Sequence, residues 1–232
     1  MSRKNSADAA LRERAAAVIP GGMYGHQATG LLPDDYPQFF SKAKGARLWD
    51  ADGNQLIDYM CAYGPNLLGY GDAEIDAAYI KQLGIGDTLT GPTALIVELA
   101  EKMVGMVAHA DWAMFCKNGT DATSMALVTA RAYRRRKTII RAKGAYHGAA
   151  PWCVPRPAGT SDEDRHHQIL CDYNDVASLE AAVAEAGDDL AGIFAAPFKH
   201  DAFIDQEGPT LEYARRCREL CDEKDALLIV DD

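Results

Sequence analysis

The chain has 232 residues, enough for one large domain or two modest ones with a sizeable core. Apolar residues make up 48% and charged residues 25%, which excludes a disordered chain, and no apolar run approaches the about 18 residues of a membrane helix. With 24 basic against 34 acidic residues, and one short basic run at Arg134, Arg135, Arg136 and Lys137, neither nucleic acid nor an anionic membrane is an expected partner.

The polar, charged start (Met1, Ser2, Arg3, Lys4) is no secretory signal. Six scattered cysteines never form a Cys-x-x-Cys pair, so free thiols and a cytoplasmic location are expected. Cys217 and Cys221 share a helix face and read as buried thiols rather than a metal pair.

In chain order, residues 7–18 read as a helix capped by Ser6 and stopped by Pro20, Gly21 and Gly22. A loop runs to about Pro37. Strand-like runs at 47–49 and 55–60 flank the turn Asp50-Ala51-Asp52-Gly53-Asn54 and form a hairpin. Helices fit 73–82 and 94–108. From Trp112 the pattern becomes regular: strands at 112–116, 138–142, 168–171, 191–196 and 226–231, helices at 121–135, 175–186 and 210–223. Asn174 is the expected cap of the second of these helices, and Pro209 a first-turn residue of the third. The alternation predicts an α/β fold, a mostly parallel sheet with helices on both faces. Residues 1–70 read as the N-terminal segment of a small domain (helix, loop, β-hairpin), and 71–232 as an incomplete large domain. The last strand, Ala226 to Val230, reads as buried on both sides. The chain stops at Asp232 without a covering helix, so an incomplete chain is expected.

In open parallel sheets ligands bind beyond the carboxyl ends of the strands, and three segments stand there. Cys116-Lys117-Asn118-Gly119-Thr120-Asp121 leads into a helix, with a glycine, a hydroxyl and free N–H groups suited to phosphate. The alternative is a capping turn made by Thr120 or Asp121. Gly144-Ala145-Tyr146-His147-Gly148 offers an aromatic plate and an imidazole. Asp231 follows five apolar residues and needs a donor or cation as partner, whether a protonated cofactor ring, an Arg or a helix N-terminus. Phosphate cradle, stacking plate and buried carboxylate together match what pyridoxal phosphate requires.

With these residues in view, the sequence resembles the class III aminotransferases of fold type I, in the glutamate-1-semialdehyde aminomutase-like branch. The resemblance is carried by Pro20-Gly21-Gly22, Gly45-Ala46-Arg47-Leu48-Trp49-Asp50, Tyr63-Gly64-Pro65, Gly91-Pro92-Thr93, Asn118-Gly119-Thr120-Asp121, Tyr146-His147-Gly148 and Ile229-Val230-Asp231-Asp232. It implies that Asn118, Gly119 and Thr120 hold the phosphate, that Tyr146 stacks on the ring with His147 beside it, and that Asp231 meets the pyridine nitrogen. Tyr63 and the loop carrying Tyr24 would lie toward the substrate. It also implies a homodimer and ping-pong transfer from an amine donor to a keto acid such as pyruvate.

The sequence departs from the family in four places. Asn118 and Asp121 replace the usual Ser and Glu of the phosphate loop. No Arg follows Pro20-Gly21-Gly22, which tells against an aminomutase. Ala196 replaces the Glu of a Glu-Pro pair. The stretches at 23–26 and 198–201 resemble the branch acting on long-chain or unusual amines, such as fumonisin aminotransferase. Finally, the family's Schiff-base lysine follows the strand bearing the Asp, whereas all ten lysines here precede Asp231, so that lysine is expected after Asp232. Two alternatives stay open, an aminomutase or lyase on the same fold and a non-catalytic interaction protein.

Overall fold

The computed structural model describes residues 5–33, 35–87, 89–155, 157–198 and 206–232. It divides into two compact units, residues 1–96 and 97–232.

The first unit opens with α1 (Ser6–Val18), followed by a three-stranded antiparallel sheet of β1 (Phe40–Lys44), β2 (Arg47–Asp50) and β3 (Gln55–Ile57), then α2 (Ala73–Leu83) and the start of α3 (Ala94–Met106). Asn5, not Ser6, occupies the N-cap of α1, and its side chain makes no cap bond. The orphan donors are met instead by a carboxylate 45 residues away: Asp52 accepts the N–H groups of Ala7 at 2.8 Å and Asp8 at 2.9 Å. Asp52 sits in the turn between β2 and β3, which buried Asp50 organises by accepting the N–H groups of Asp52 and Asn54 at 3.0 and 2.8 Å. β1 is an element that its polar sequence, Phe40-Ser41-Lys42-Ala43-Lys44, did not signal. It forms because β2 offers a ladder.

The second unit is a four-stranded, all-parallel sheet in the order β5-β4-β6-β7, with β4 (Thr138–Ala142), β5 (Gln168–Cys171), β6 (Leu190–Ala195) and β7 (Leu227–Val230). Three helices cover it: α4 (Gly119–Arg134), α5 (Val176–Ala186) and α6 (Leu211–Glu223). Alternation along β4 sends Ile140 to one face, where it packs with Leu179 and Val183 of α5 and Tyr213 and Leu220 of α6. Ile139 goes to the other face, with Leu127 of α4, Trp152 and Phe194. β4 and β6 are buried on both faces, whereas β7, expected to be buried on both sides, is only half-buried with Val230 59% exposed. β6 and β7 approach so closely that a Cβ on Gly192 would lie 2.8 Å from the Leu227 carbonyl oxygen.

Several expectations are corrected. Residues 112–116 form no strand; Trp112 is 70% exposed, and no strand among the described residues pairs with this run. Asp175 rather than Asn174 caps α5, accepting the Ser178 N–H at 2.9 Å, while Asn174 takes a left-handed turn and accepts the Thr210 N–H through its side chain. Thr210 caps α6, which leaves Pro209 outside the first turn. His166 and His167 lie in a turn with their rings edge to face. In the basic run, Arg136 donates to the carbonyls of Leu190, Lys224 and Asp225, and Arg134 pairs with Asp225 at 2.5 Å. Cys217 and Cys221 are buried in the α6 face, and burial pushes their thiols up to about 12 and about 11.

Candidate active site at the carboxyl ends of β4, β6 and β7

The site in the second unit starts with the turn into α4. Asn118 is extended and caps the helix, its Oδ1 accepting the Asp121 N–H at 2.9 Å. Its amide Nδ2 in turn donates to Asp121 Oδ2 at 3.0 Å, a reciprocal arrangement at the spacing of a capping box. Asn118 and Asp121, the two departures from the family loop, are thus bonded to each other. The cap is Asn118, not Thr120 or Asp121. The N–H groups of Gly119 and Thr120 have no intrahelical acceptor and face outward along the positive end of the helix dipole. A Cβ on Gly119 would meet nothing within 4 Å, so open space stands at that backbone.

The loop after β4 is tied to this turn. Thr120 Oγ1 accepts the Ala149 N–H at 3.1 Å. Gly148, at φ +116°, lies so close that a Cβ there would sit 2.6 Å from the same oxygen. Thr123, buried on α4, donates its hydroxyl to the His147 carbonyl at 2.7 Å. Sequence reasoning missed Thr123 because it reads as an ordinary residue of the helix interior.

These ties aim His147. Its side chain is fully buried, passes over β6 with its ring centroid 5.5 Å from that of Phe194, and places Nδ1 2.8 Å from Asp231 Oδ2. Asp231 follows β7 and continues the ladder by donating its N–H to the Ala195 carbonyl at 2.9 Å. The two residues are 84 positions apart in sequence. His147 is therefore the partner that the half-buried carboxylate takes, in place of an Arg or a helix N-terminus. An ionised carboxylate only accepts, so Nδ1 is the donor, and Nε2 is buried without a partner among the described residues. The Asp231 side chain is 29% exposed, and its second oxygen, Oδ1, has no partner among the described residues. Tyr146, next to His147, is half exposed.

The structure thus brings Asn118, Gly119, Thr120, His147 and Asp231 onto neighbouring strand ends and loops, with Tyr146 in the same loop as His147. Tyr24 and Tyr63 belong to the first unit, where Tyr24 is exposed and Tyr63 accepts a hydrogen bond from Gln27 Nε2 at 2.8 Å. Residues 199–201 lie outside the described residues.

The profile of the family described as Aminotransferase class-III matches residues 33–232. The chain is 60% identical to the aminopentol aminotransferase of Sphingopyxis macrogoltabida over 222 residues, covering 96% of this chain and 53% of that protein. It is 35% identical to the glutamate-1-semialdehyde 2,1-aminomutase of Polaromonas naphthalenivorans over 240 residues, 98% of this chain and 54% of that protein. Among solved structures, the FumI protein of Sphingopyxis sp. MTA144, in a PLP form, superposes with a TM-score of 0.95 at 58% identity, over 97% of this chain and 54% of that one. An omega-transaminase from Sphaerobacter thermophilus superposes with a TM-score of 0.89 at 27% identity, over 98% of this chain and 55% of that one. The chain spans about half the length of these relatives. It has the fold type I architecture of the PLP-dependent transaminases, and it belongs to the class-III aminotransferase family.

Proposed function

We propose that this chain forms the cofactor-binding half of a pyridoxal-phosphate-dependent transaminase, which moves an amino group from an amine donor to a keto acid such as pyruvate. The observation that carries the reading is the His147–Asp231 pair set beside the open N-terminus of α4. The residues fit the cofactor. The Gly119 and Thr120 N–H groups and the Thr120 hydroxyl hydrogen suit a phosphate, and among the described residues a Cβ on Gly119 would meet nothing within 4 Å. Asp231 Oδ1 is available to a protonated ring nitrogen, while His147 holds Oδ2. Tyr146 offers a half-exposed ring for stacking.

Bound pyridoxal phosphate supplies the electron sink for chemistry at the carbon bearing the amine. Asp231 keeps the proton on the ring nitrogen, and His147 fixes the carboxylate that does so. Tyr146 excludes water from one side of the ring, and the α4 turn holds the phosphate still. None of these side chains is an amine, so the lysine that attaches the cofactor and moves the substrate proton is assigned to sequence after Asp232.

The 60% identity to an aminopentol aminotransferase, against 35% to an aminomutase, supports a transaminase with a long-chain hydroxylated amine as donor. Tyr24 and Tyr63 are assigned to the substrate side. A homodimer fits the apolar side chains that α3 leaves exposed, among them Leu95, Leu99, Met103 and Met106. Residues 1–70 and 71–232 are read as segments of a small and a large domain. A cytoplasmic location is in keeping with six free cysteines, and among the described residues no helix is long and apolar enough to cross a membrane. The test is alanine formation from pyruvate by the protein loaded with pyridoxal phosphate and offered long-chain amines. Alanine in step with amine consumption is the expected result. Amine isomerised without alanine would establish the aminomutase instead.

A further inference from the structure

The turn that opens α4 holds the chain's single Asn-Gly step, Asn118-Gly119. Asparagine is thermolabile because the backbone nitrogen of the next residue can attack its side-chain carbonyl carbon. A side chain on that next residue hinders the attack, so glycine favours it. Reaction further requires access to the nitrogen, polarisation of the carbonyl, and a peptide able to turn.

The turn meets each requirement. Asn118 and Gly119 are exposed, a Cβ on Gly119 would meet nothing within 4 Å, and the Gly119 N–H has no acceptor among the described residues. That nitrogen stands at the positive end of the α4 dipole, which favours the deprotonated form that attacks. Asn118 Oδ1 already accepts the Asp121 N–H at 2.9 Å, so a donor sits where negative charge develops as the carbonyl carbon becomes tetrahedral. Turning the 118–119 peptide breaks one backbone bond, from the Ala122 N–H to the Asn118 carbonyl at 3.2 Å. Its loss slows the reaction by at most about tenfold.

We propose that Asn118-Gly119 is a self-modification site, and that a phosphate bound at the turn guards it. The Gly119 nitrogen, having lost its proton to solvent, bonds to Asn118 Cγ, and the side-chain nitrogen takes up a proton and leaves as ammonia. Water then opens the cyclic imide to aspartate or isoaspartate, so water is consumed, ammonia is released, and nothing is oxidised or reduced. Either product sets a carboxylate opposite Asp121, in place of the Asn118 Nδ2 that donates to Asp121 Oδ2 at 3.0 Å. Isoaspartate also lengthens the main chain and displaces the Gly119 N–H. The guarding half of the proposal rests on the assignment of the cofactor phosphate to this turn: a Gly119 N–H bonded to a phosphate oxygen is withheld from attack. The cofactor-free protein therefore ages into a form that repels phosphate, and the loaded protein resists ageing.

The test is peptide mapping by mass spectrometry of the full-length protein, aged in warm, mildly alkaline buffer with and without pyridoxal phosphate. Without cofactor, the peptide carrying Asn118 gains about 1 Da, as a mixture of aspartate and isoaspartate. It does so faster than those carrying Asn5, Asn54, Asn66 or Asn174. Gly119→Ala slows this reaction about tenfold, and saturating cofactor slows it about tenfold in the unaltered protein. Asn118→Asp, which makes one product directly, binds pyridoxal phosphate about tenfold more weakly in an absorbance titration. An intact Asn118 in the aged cofactor-free protein overturns the inference, as does an unchanged rate in Gly119→Ala. Equal rates with and without cofactor, in protein that the titration shows to be saturated, would instead refute the placement of the phosphate at this turn, as would undiminished binding by Asn118→Asp.

Discussion

At the scale of single residues, the informative pair is His147 and Asp231. Neither is decisive alone: a histidine flanked by a tyrosine and a glycine is common, and a carboxylate after an apolar run has several possible partners. Together they form a hydrogen-bonded unit with one carboxylate oxygen taken and the other available. A hydrogen bond to a charged group is worth about 1.5–3 kcal/mol. His147→Ala should therefore weaken pyridoxal phosphate binding by about ten- to a hundredfold, measured by absorbance titration of the cofactor. His147→Asn, which keeps an N–H donor, should retain part of it. An unchanged dissociation constant in the alanine variant would place the cofactor elsewhere. That Asn118, Gly119 and Thr120 open a helix, and that Tyr146, His147 and Asp231 follow strands, was legible from residue types, although the strand expected before Asn118 does not form. The contact between His147 and Asp231 was not, because nothing in the spacing says that the loop after β4 crosses β6 to reach the end of β7.

At the scale of elements, two junctions matter. The first is where α4 begins. Asn118→Ala removes the cap and should cost about 1 kcal/mol in chemical denaturation, whereas Asn118→Ser keeps a capping oxygen and should cost less. Gly148→Ala forces a Cβ into Thr120 from a left-handed backbone and should cost about 1–3 kcal/mol while displacing the phosphate turn. The second junction is α1 on the hairpin. The Ala7 and Asp8 N–H groups hold the Asp52 carboxyl below its usual value of 3.8. Its folded-state value is depressed, so its contribution is present above the ordinary carboxylate range and is lost as pH falls through the lowered value. Amide exchange at Ala7 and Asp8 should accelerate in that acid window, and Asp52→Asn should show fast exchange already at neutral pH. Strand and helix positions were largely readable, with β4 and β6 falling close to where their runs stood, because two-sided burial writes itself into composition. The caps were less so. The donors of α1 are met from a turn 45 residues away, and Asp175 won the α5 cap because Asn174 bonds toward the start of α6.

At the scale of the whole molecule, a large share of apolar surface remains uncovered. The exposed side chains of α3 and the unpaired 112–116 run carry the chemistry of a buried layer without a layer over them. The run reads as a strand from its sequence but forms none, since a strand exists only with a partner to complete its ladder. The family relatives are about twice as long as this chain. Under the proposed function, residues 1–232 would bind and orient the cofactor, and the lysine that attaches it would lie after Asp232. The most direct test is borohydride reduction of the protein loaded with pyridoxal phosphate, followed by peptide mapping of the pyridoxyl group. The account predicts one labelled lysine, outside residues 1–232. A stoichiometric label on Lys117 or any other lysine within this chain would contradict it.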